Sequence, residues 1–357
     1  MNYRDIEHAE NEFLETGGNG HYNLEPIEVH MPTPEMGILH MIKCTPKHKK
    51  SYYYKRLTEK TQIVLHFTLG NVKGDTHVLT GGQGRVSVPY LILRNGTILN
   101  LFDDKYWSYH IGRNGVLGSN ELASKRSIGV ELSNYGILHK KDDELHTDYS
   151  DRYNHDVYCS ISDKKEYVKL NTPFRGYRYF CTYTDAQYKS LILLLKYLTY
   201  KHNIPRTFLD ASQRFKTGKF NAIHKGIVSH VNHRIDKVDL PPYPAFDWLR
   251  VEQGINETLV NVIGADVEDK LHAQTVQGNG NTIPFAYGKV QKLNEGDVLN
   301  VRSGNGIQYA ILKTLKNDDW VELLEVKGDW YRVDKLGWSD GVYWLHGDYI
   351  NELKGSV

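Results

Sequence analysis

The chain is poor in cysteine. Its 357 residues include three, Cys44, Cys159 and Cys181, and no Cys-x-x-Cys. That argues against a disulfide framework and against a cysteine-rich structural zinc site. A charge imbalance is also lacking. Lys+Arg number 44 and Asp+Glu 43, a net charge of +1, so no overall basic field exists to hold nucleic acid or an anionic membrane. No stretch approaches the ~18 apolar residues of a transmembrane helix. The start, Met1 to His8, has no apolar core and does not read as a secretory signal peptide. Synthesis in the cytoplasm is therefore expected, with release by lysis or a non-standard route. What is abundant is tyrosine (25) and histidine (17). Tyrosine offers a flat face and a hydroxyl, which suit sugar or peptide contacts.

The length suggests two domains. Residues 1–45 have mixed polarity, with Gly17-Gly18-Asn19-Gly20 and Pro32-Thr33-Pro34 as breakers, and read as an N-terminal extension or lid. Residues 46–252 carry strand and helix signals. In Ile63-Val64-Leu65-His66-Phe67-Thr68, residues 64, 66 and 68 take one face and 63, 65 and 67 the other. Val86–Arg94 is a second strand, closed by the Asn95-Gly96 turn and paired with 97–102. Ser127–Leu132 is a third, its apolar positions 128, 130 and 132 turned away from Glu131. Residues 138–178 read as an inserted excursion. Thr184-Asp185-Ala186-Gln187 is a capping box, followed by apolar residues at helical spacing and a stop at Asn203 and Pro205. Interspersed strands and helices predict an α/β domain with a mixed central β-sheet flanked by helices. Residues 253–287 read as a Gly/Asn/Thr-rich linker. Residues 288–357 show short strands and turns and predict a small all-β barrel.

His66 lies late in its strand, on the face opposite Leu65. Far downstream come Ser229-His230 and then Lys237-Val238-Asp239. Two imidazoles and a carboxylate make a three-ligand zinc set that leaves a fourth position for water, the pattern of a catalytic site. His233 is the rival to His230. Lys237 and Asp239 are two apart, so in an extended segment they share a face. Glu131, a carboxylate on the polar side of an apolar strand, is a candidate proton carrier.

Between Thr61 and Leu249 the chain resembles the zinc-dependent N-acetylmuramoyl-L-alanine amidases, the class shared by phage lysins and peptidoglycan recognition proteins. The matching pieces run in the family's order. They are LHFT (65–68), YLILRNGTI (90–98), YHIG (109–112), SIGVEL (127–132), YTDAQY (183–188), Ser229-His230 and Asp236-Lys237-Val238-Asp239. Residues 288–352 resemble bacterial SH3-like cell-wall modules through LNVRSG, GDWYRV and Gly337-Trp338. The chain departs from the family pattern at Phe67 and Pro89, where a histidine is common, and at Leu240-Pro241 after the last ligand. The His230–Asp239 spacing is one residue shorter than the commonest form.

The resemblance implies a fold with the amidase's mixed sheet. It also implies Zn2+ held by His66, His230 and Asp239, with His230 chosen over His233 by the match. It makes Glu131 the general base and Lys237 the oxyanion stabiliser, and puts His110 on the substrate side. Tyr106 and Trp107 are candidates for an aromatic wall. The implied substrate is bacterial peptidoglycan, cut at the amide between N-acetylmuramic acid and L-alanine outside the cytoplasm; neither a nucleic-acid partner nor a membrane segment is expected. Two other readings compete: a wall-binding protein without chemistry, which would typically lack a ligand, and a cytoplasmic amidase of muropeptide fragments, which has no need of a wall-binding module.

Overall fold

The computed structural model describes residues 3–30, 38–148, 156–256, 286–294, 296–334 and 342–353. Two compact units divide the chain, Met1–Asn261 and Val262–Val357.

The first unit begins with helix α1 (Arg4–Gly20), which buries Ile6, Ala9 and Phe13. Its Glu10 is also buried. The carboxylate accepts the Arg94 and Asn95 backbone N–H groups at 2.7 and 2.9 Å, fastening the helix to the turn at Asn95-Gly96. Strands β1 (Tyr22–His30) and β2 (Ile38–Pro46) pair antiparallel. The segment expected as an extension or lid thus contributes two strands, β1 and β2, to the first unit's sheet. Its strand, with Leu39, Met41 and Cys44 buried, does not show a strict alternation that sequence reading would register.

β3 (Gln62–Phe67) is buried along its whole length. Its two faces feed different cores: Ile63, Leu65 and Phe67 join the main one, Val64 a smaller one. Helix α2 (Val72–Thr80) follows, capped by Asn71. The strand expected over 86–94 shortens to β4 (Tyr90–Ile92): Pro89 has no N–H for a ladder at its start, and the turn in which Gly96 N–H bonds the Leu93 carbonyl ends it. β5 (Ile98–Asn100) is its antiparallel partner. Helix α3 (Asn120–Lys125) leads into β6 (Ser127–Leu132).

Five strands between Ile137 and Cys181 form a second sheet. Its strands are β7 (Ile137–Lys141), β8 (Glu144–Thr147), β9 (Val157–Ser160), β10 (Tyr167–Phe174) and β11 (Tyr177–Cys181), in the order β10-β11-β7-β8-β9. The excursion read from sequence is therefore a folded layer. Helix α4 (Asp185–Lys201) carries the expected Thr184/Gln187 capping box and buries Tyr188, Leu191, Leu194, Leu195 and Leu198 in the main core. The short α5 (Lys219–Ala222), β12 (Gly226–Ser229), α6 (His230–His233) and α7 (Trp248–Asn256) complete the unit.

The first sheet runs β1-β2-β5-β4-β6-β3-β12. β4, β6, β3 and β12 are parallel neighbours, while β4 and β5 are antiparallel, so the sheet is mixed. Ligands of open sheets bind outside the carboxyl ends of parallel strands. Here those ends deliver His66, Glu131 and, one residue past β12, His230.

The second unit is all-β: β13 (Ala286–Val290), β14 (Leu299–Arg302), β15 (Ile311–Leu315), β16 (Trp320–Lys327), β17 (Trp330–Asp334), β18 (Tyr343–His346) and β19 (Ile350–Leu353). They pair antiparallel in the order β15-β14-β18-β17-β16-β13-β19 over a core that includes Val290, Val301, Leu323 and Leu345. Most of the linker expected over 253–287 lies outside the described residues; 253–256 belong to α7. Among the described residues no helix is long and apolar enough to cross a membrane.

Candidate metal centre

His66, His230 and Asp239 converge. His66 Nδ1 lies 3.0 Å from His230 Nδ1 and 3.2 Å from Asp239 Oδ2, and His230 Nδ1 lies 2.9 Å from the same oxygen. All three residues are at least 95% buried. β3 supplies the first. The parallel pairing of β12 on β3, with Ser229 opposite Leu65, brings the second beside it. Asp239 is held by its backbone, whose carbonyl accepts both the Ser229 hydroxyl and the Val231 N–H.

The outer hydrogen bonds fix the ring tautomers. His230 Nε2 donates to the Ile111 carbonyl at 2.9 Å, so in the neutral ring Nδ1 is a bare lone pair. On the other side, Ser127 Oγ donates to the Ala123 carbonyl at 2.7 Å and therefore accepts from His110 Nε2 at 3.0 Å. His110 Nδ1 is then the acceptor for His66 Nε2–H, 3.1 Å away. The bare lone pair of His66 is again Nδ1. Two imidazole lone pairs and a carboxylate oxygen thus face one another with no donor between them. Such a group could hold a metal ion, and its donor set fits a three-ligand site with one open position.

The electrostatics agree with that arrangement. Burial, reinforced by His230, pulls the His66 imidazole down to about 4, so it is neutral and able to donate its lone pair. Burial would raise the Asp239 carboxyl, but His230 and His66 outweigh it and hold the group well below the usual carboxylate range.

Glu131 sits opposite His66 in the β3–β6 register. Its Oε2 is enclosed and has no hydrogen-bond partner among the described residues. Burial, then the charges of Asp239 and Asp75, push this carboxyl well above its ordinary value; Lys237 opposes the shift. Lys237 is half-buried on the segment leading to Asp239, and its charge acts on His66 as well.

The remaining expected residues take varied places. His110, expected on the substrate side, stands behind His66 in the chain of hydrogen bonds just described. It fits there because β6 carries Gly129 against it: a Cβ at that position would meet Val88 at 2.5 Å and the His110 ring at 3.0 Å. Trp107, expected in an aromatic wall, is buried. It stacks on Tyr54 with centroids 4.2 Å apart and meets Tyr109 edge-on at 5.2 Å. Tyr106 is half-buried and stacks on Tyr53 at 5.9 Å. Trp107 serves packing, since Tyr54 and Tyr109 cover it, while Tyr106 keeps part of its surface exposed. His233, the rival ligand, turns away and pairs with the Gln62 amide at 2.9 Å.

Sequence reasoning missed Ser127, whose hydroxyl orients His110, and Asp75, a buried carboxylate that accepts from Thr68 and Ser133 at 2.9 and 2.6 Å. Ser127 could have been found, because it shares a strand face with Glu131. Asp75 had no such signal.

Residues 57–241 match the family described as N-acetylmuramoyl-L-alanine amidase, and residues 297–350 match the bacterial SH3 domain. No curated protein matches the chain. Among solved structures, an AmpD derivative is 18% identical, with 56% of this chain and 86% of that one covered and a TM-score of 0.31. AmiD from E. coli, in complex with anhydro-N-acetylmuramic acid-L-Ala-D-gamma-Glu-L-Lys, is 21% identical over 58% of this chain and 61% of its own, with a TM-score of 0.34. The endolysin LysCS from Clostridium intestinale is 16% identical over 64% and 97%, with a TM-score of 0.32.

Proposed function

The chain belongs to the N-acetylmuramoyl-L-alanine amidase family and is a peptidoglycan amide hydrolase; we propose that it cuts the bond between N-acetylmuramic acid and L-alanine with a zinc ion held by His66, His230 and Asp239. One observation carries the metal reading: two imidazole lone pairs and a carboxylate oxygen meet within 3.2 Å with no donor among them. When bound, zinc lowers the pKa of a coordinated water to about 7 and polarises a carbonyl.

The chain's own residues supply the rest. The His110–Ser127–Ala123 series and the Ile111 carbonyl keep both imidazoles facing inward. Glu131, raised by burial and by neighbouring carboxylates, holds a proton readily. It takes one from the attacking water and passes it to the leaving L-alanine nitrogen. Lys237 offsets the negative charge that develops on the carbonyl oxygen. The second unit, as a bacterial SH3 domain, binds the wall and keeps the catalytic unit at its insoluble substrate. We place the domain boundaries within 253–287, as the sequence suggests.

Digestion of purified sacculi tests this reading. Free L-alanine amino termini are expected, without new reducing sugar ends. A chelator stops the release and added zinc restores it. Release that continues unchanged after exhaustive chelation rules out the metal.

A further inference from the structure

The second sheet of the catalytic unit reaches the metal-side loop through one side chain. Arg175 lies at the tip of the β10–β11 hairpin, between the paired residues Phe174 and Tyr177. Its guanidinium meets six acceptors. Nη1 donates to the carbonyls of Arg234, Ile235 and Lys237 at 3.0, 2.8 and 2.6 Å. Nη2 donates to the Phe215 carbonyl, the Thr217 hydroxyl and the Val231 carbonyl at 3.2, 2.8 and 3.4 Å. Four of these acceptors lie between His230 and Asp239. A planar fork of fixed N–H directions suits such a cradle, and an ammonium does not reproduce it.

The backbone makes the choice of residue more telling. Arg175 and Gly176 have φ of +50° and +92°. Two-residue hairpin turns with positive φ at both positions favour Asn-Gly, Asp-Gly or Gly-Gly. Arginine is a poor choice for the turn and a good one for the cradle. A non-glycine residue held in the left-handed region is a reason to ask what its side chain does. The hairpin tip is also docked: the Phe174 ring meets Phe215 edge-on at 5.7 Å, next to the same acceptors.

We propose that Arg175 is a positioning residue, through which the inserted second sheet holds the 231–239 loop in the shape that presents His230, Lys237 and Asp239. The proposal rests on the metal reading for the consequence it has on zinc, and stands apart from it for the consequence on the loop.

The test uses the full chain with Arg175→Gly and Arg175→Lys. Glycine suits the turn's positive φ, so Arg175→Gly removes the side chain without straining the hairpin. Amide hydrogen exchange of the metal-free chain is expected to speed up by on the order of tenfold over 231–239 and to stay unchanged in β3 and β6. Zinc affinity, read by competition with a chelating dye, is expected to weaken by about 10- to 100-fold, the usual range for a lost supporting contact. On a soluble muropeptide kcat falls while KM changes little. Arg175→Lys keeps the charge and part of the bonding, and recovers part of each loss.

A folded Arg175→Gly whose loop exchange and zinc affinity stay within about twofold of the parent overturns the proposal, because the arginine is then a turn residue only. If Arg175→Gly does not fold, the same thresholds are applied to Arg175→Lys. Failure of both to fold also overturns it, since the side chain then serves the whole fold. If neither the parent nor the variants bind zinc, the metal reading fails, and the exchange data still judge the cradle.

Discussion

His66 and Glu131 are register partners in the parallel β3–β6 pair, so a candidate ligand and a candidate proton carrier occupy neighbouring strands about 4.8 Å apart on one sheet face. Their proximity is a property of the pairing register. A slip of one residue in either strand would turn one of them into the apolar core.

That geometry sets the first expectation. The chain is expected to hold one equivalent of zinc. His66→Ala and Asp239→Ala each remove a proposed ligand and leave the others facing a gap, so elemental analysis after gel filtration should find little metal in either. Full zinc content in both variants contradicts the assigned ligand set.

Glu131→Gln and Lys237→Ala are expected to keep their metal and their fold. A lost general base or oxyanion partner lowers turnover by about 10²–10⁴. Steady-state kinetics on a muropeptide, with metal content measured on the same sample, separate this outcome from simple metal loss. Near-normal kcat in either variant removes that residue from the mechanism.

Ser127 hydrogen-bonds none of the proposed ligands, yet its hydroxyl decides which nitrogen of His110 carries the proton. Ser127→Ala leaves that choice open and permits the His66 tautomer whose Nδ1 bears hydrogen. Zinc affinity is expected to drop by roughly tenfold, the lower end for an outer hydrogen bond. An unchanged dissociation constant at pH 7 means the tautomer is set by something else.

Asp75 gives a pH dependence of stability. Burial pushes its carboxyl up to about 7, against the Ser133 and Thr68 hydroxyls that pull it down. The folded state therefore binds the proton more tightly than the unfolded chain. Its stabilising contribution is complete below about pH 4 and is lost as pH rises towards 7, with a slope of at most about 1.4 kcal/mol per pH unit. Asp75→Asn cannot ionise. Urea unfolding at pH 4.5 and 7.5 should show a smaller difference for this variant than for the parent, and equal differences discount the shift.

A chain ending at Asn256 is expected to cleave soluble muropeptides as well as the full chain and to do worse on sacculi. The cut belongs there because α7 buries Val251 and Ile255; ending at Gln253 would strip Ile255 from the core. Equal rates on sacculi with and without the second unit would falsify the anchoring role.

Much of the site was readable because strand alternation is a local signal. Ser127, Gly129 and Glu131 alternate with Ile128, Val130 and Leu132, and the capping box at Thr184 marks a helix start without any tertiary knowledge. What could not be read depends on chain segments far apart in sequence. Trp107 looks like a ligand-facing aromatic until Tyr54 is found stacked on it. His110 looks like a substrate contact until Ser127 is found 3.0 Å beyond it. Arg175 is an ordinary turn arginine until a loop some sixty residues later folds around it. The two N-terminal strands were missed for another reason: β2 meets its sheet neighbour β5 more than fifty residues on.

That last pairing has a practical consequence for protein engineers. The family match begins at residue 57, which invites cutting the catalytic unit there when domains are shuffled between enzymes. Such a cut strips β2 from β5 and leaves a naked strand edge with Leu99 beside it, the kind of surface on which chains stack into aggregates. It also discards the carboxylate of Glu10 from the backbone amides of Arg94 and Asn95. A transplantable catalytic cassette should start at the first turn of α1 and carry its own edge strands with it.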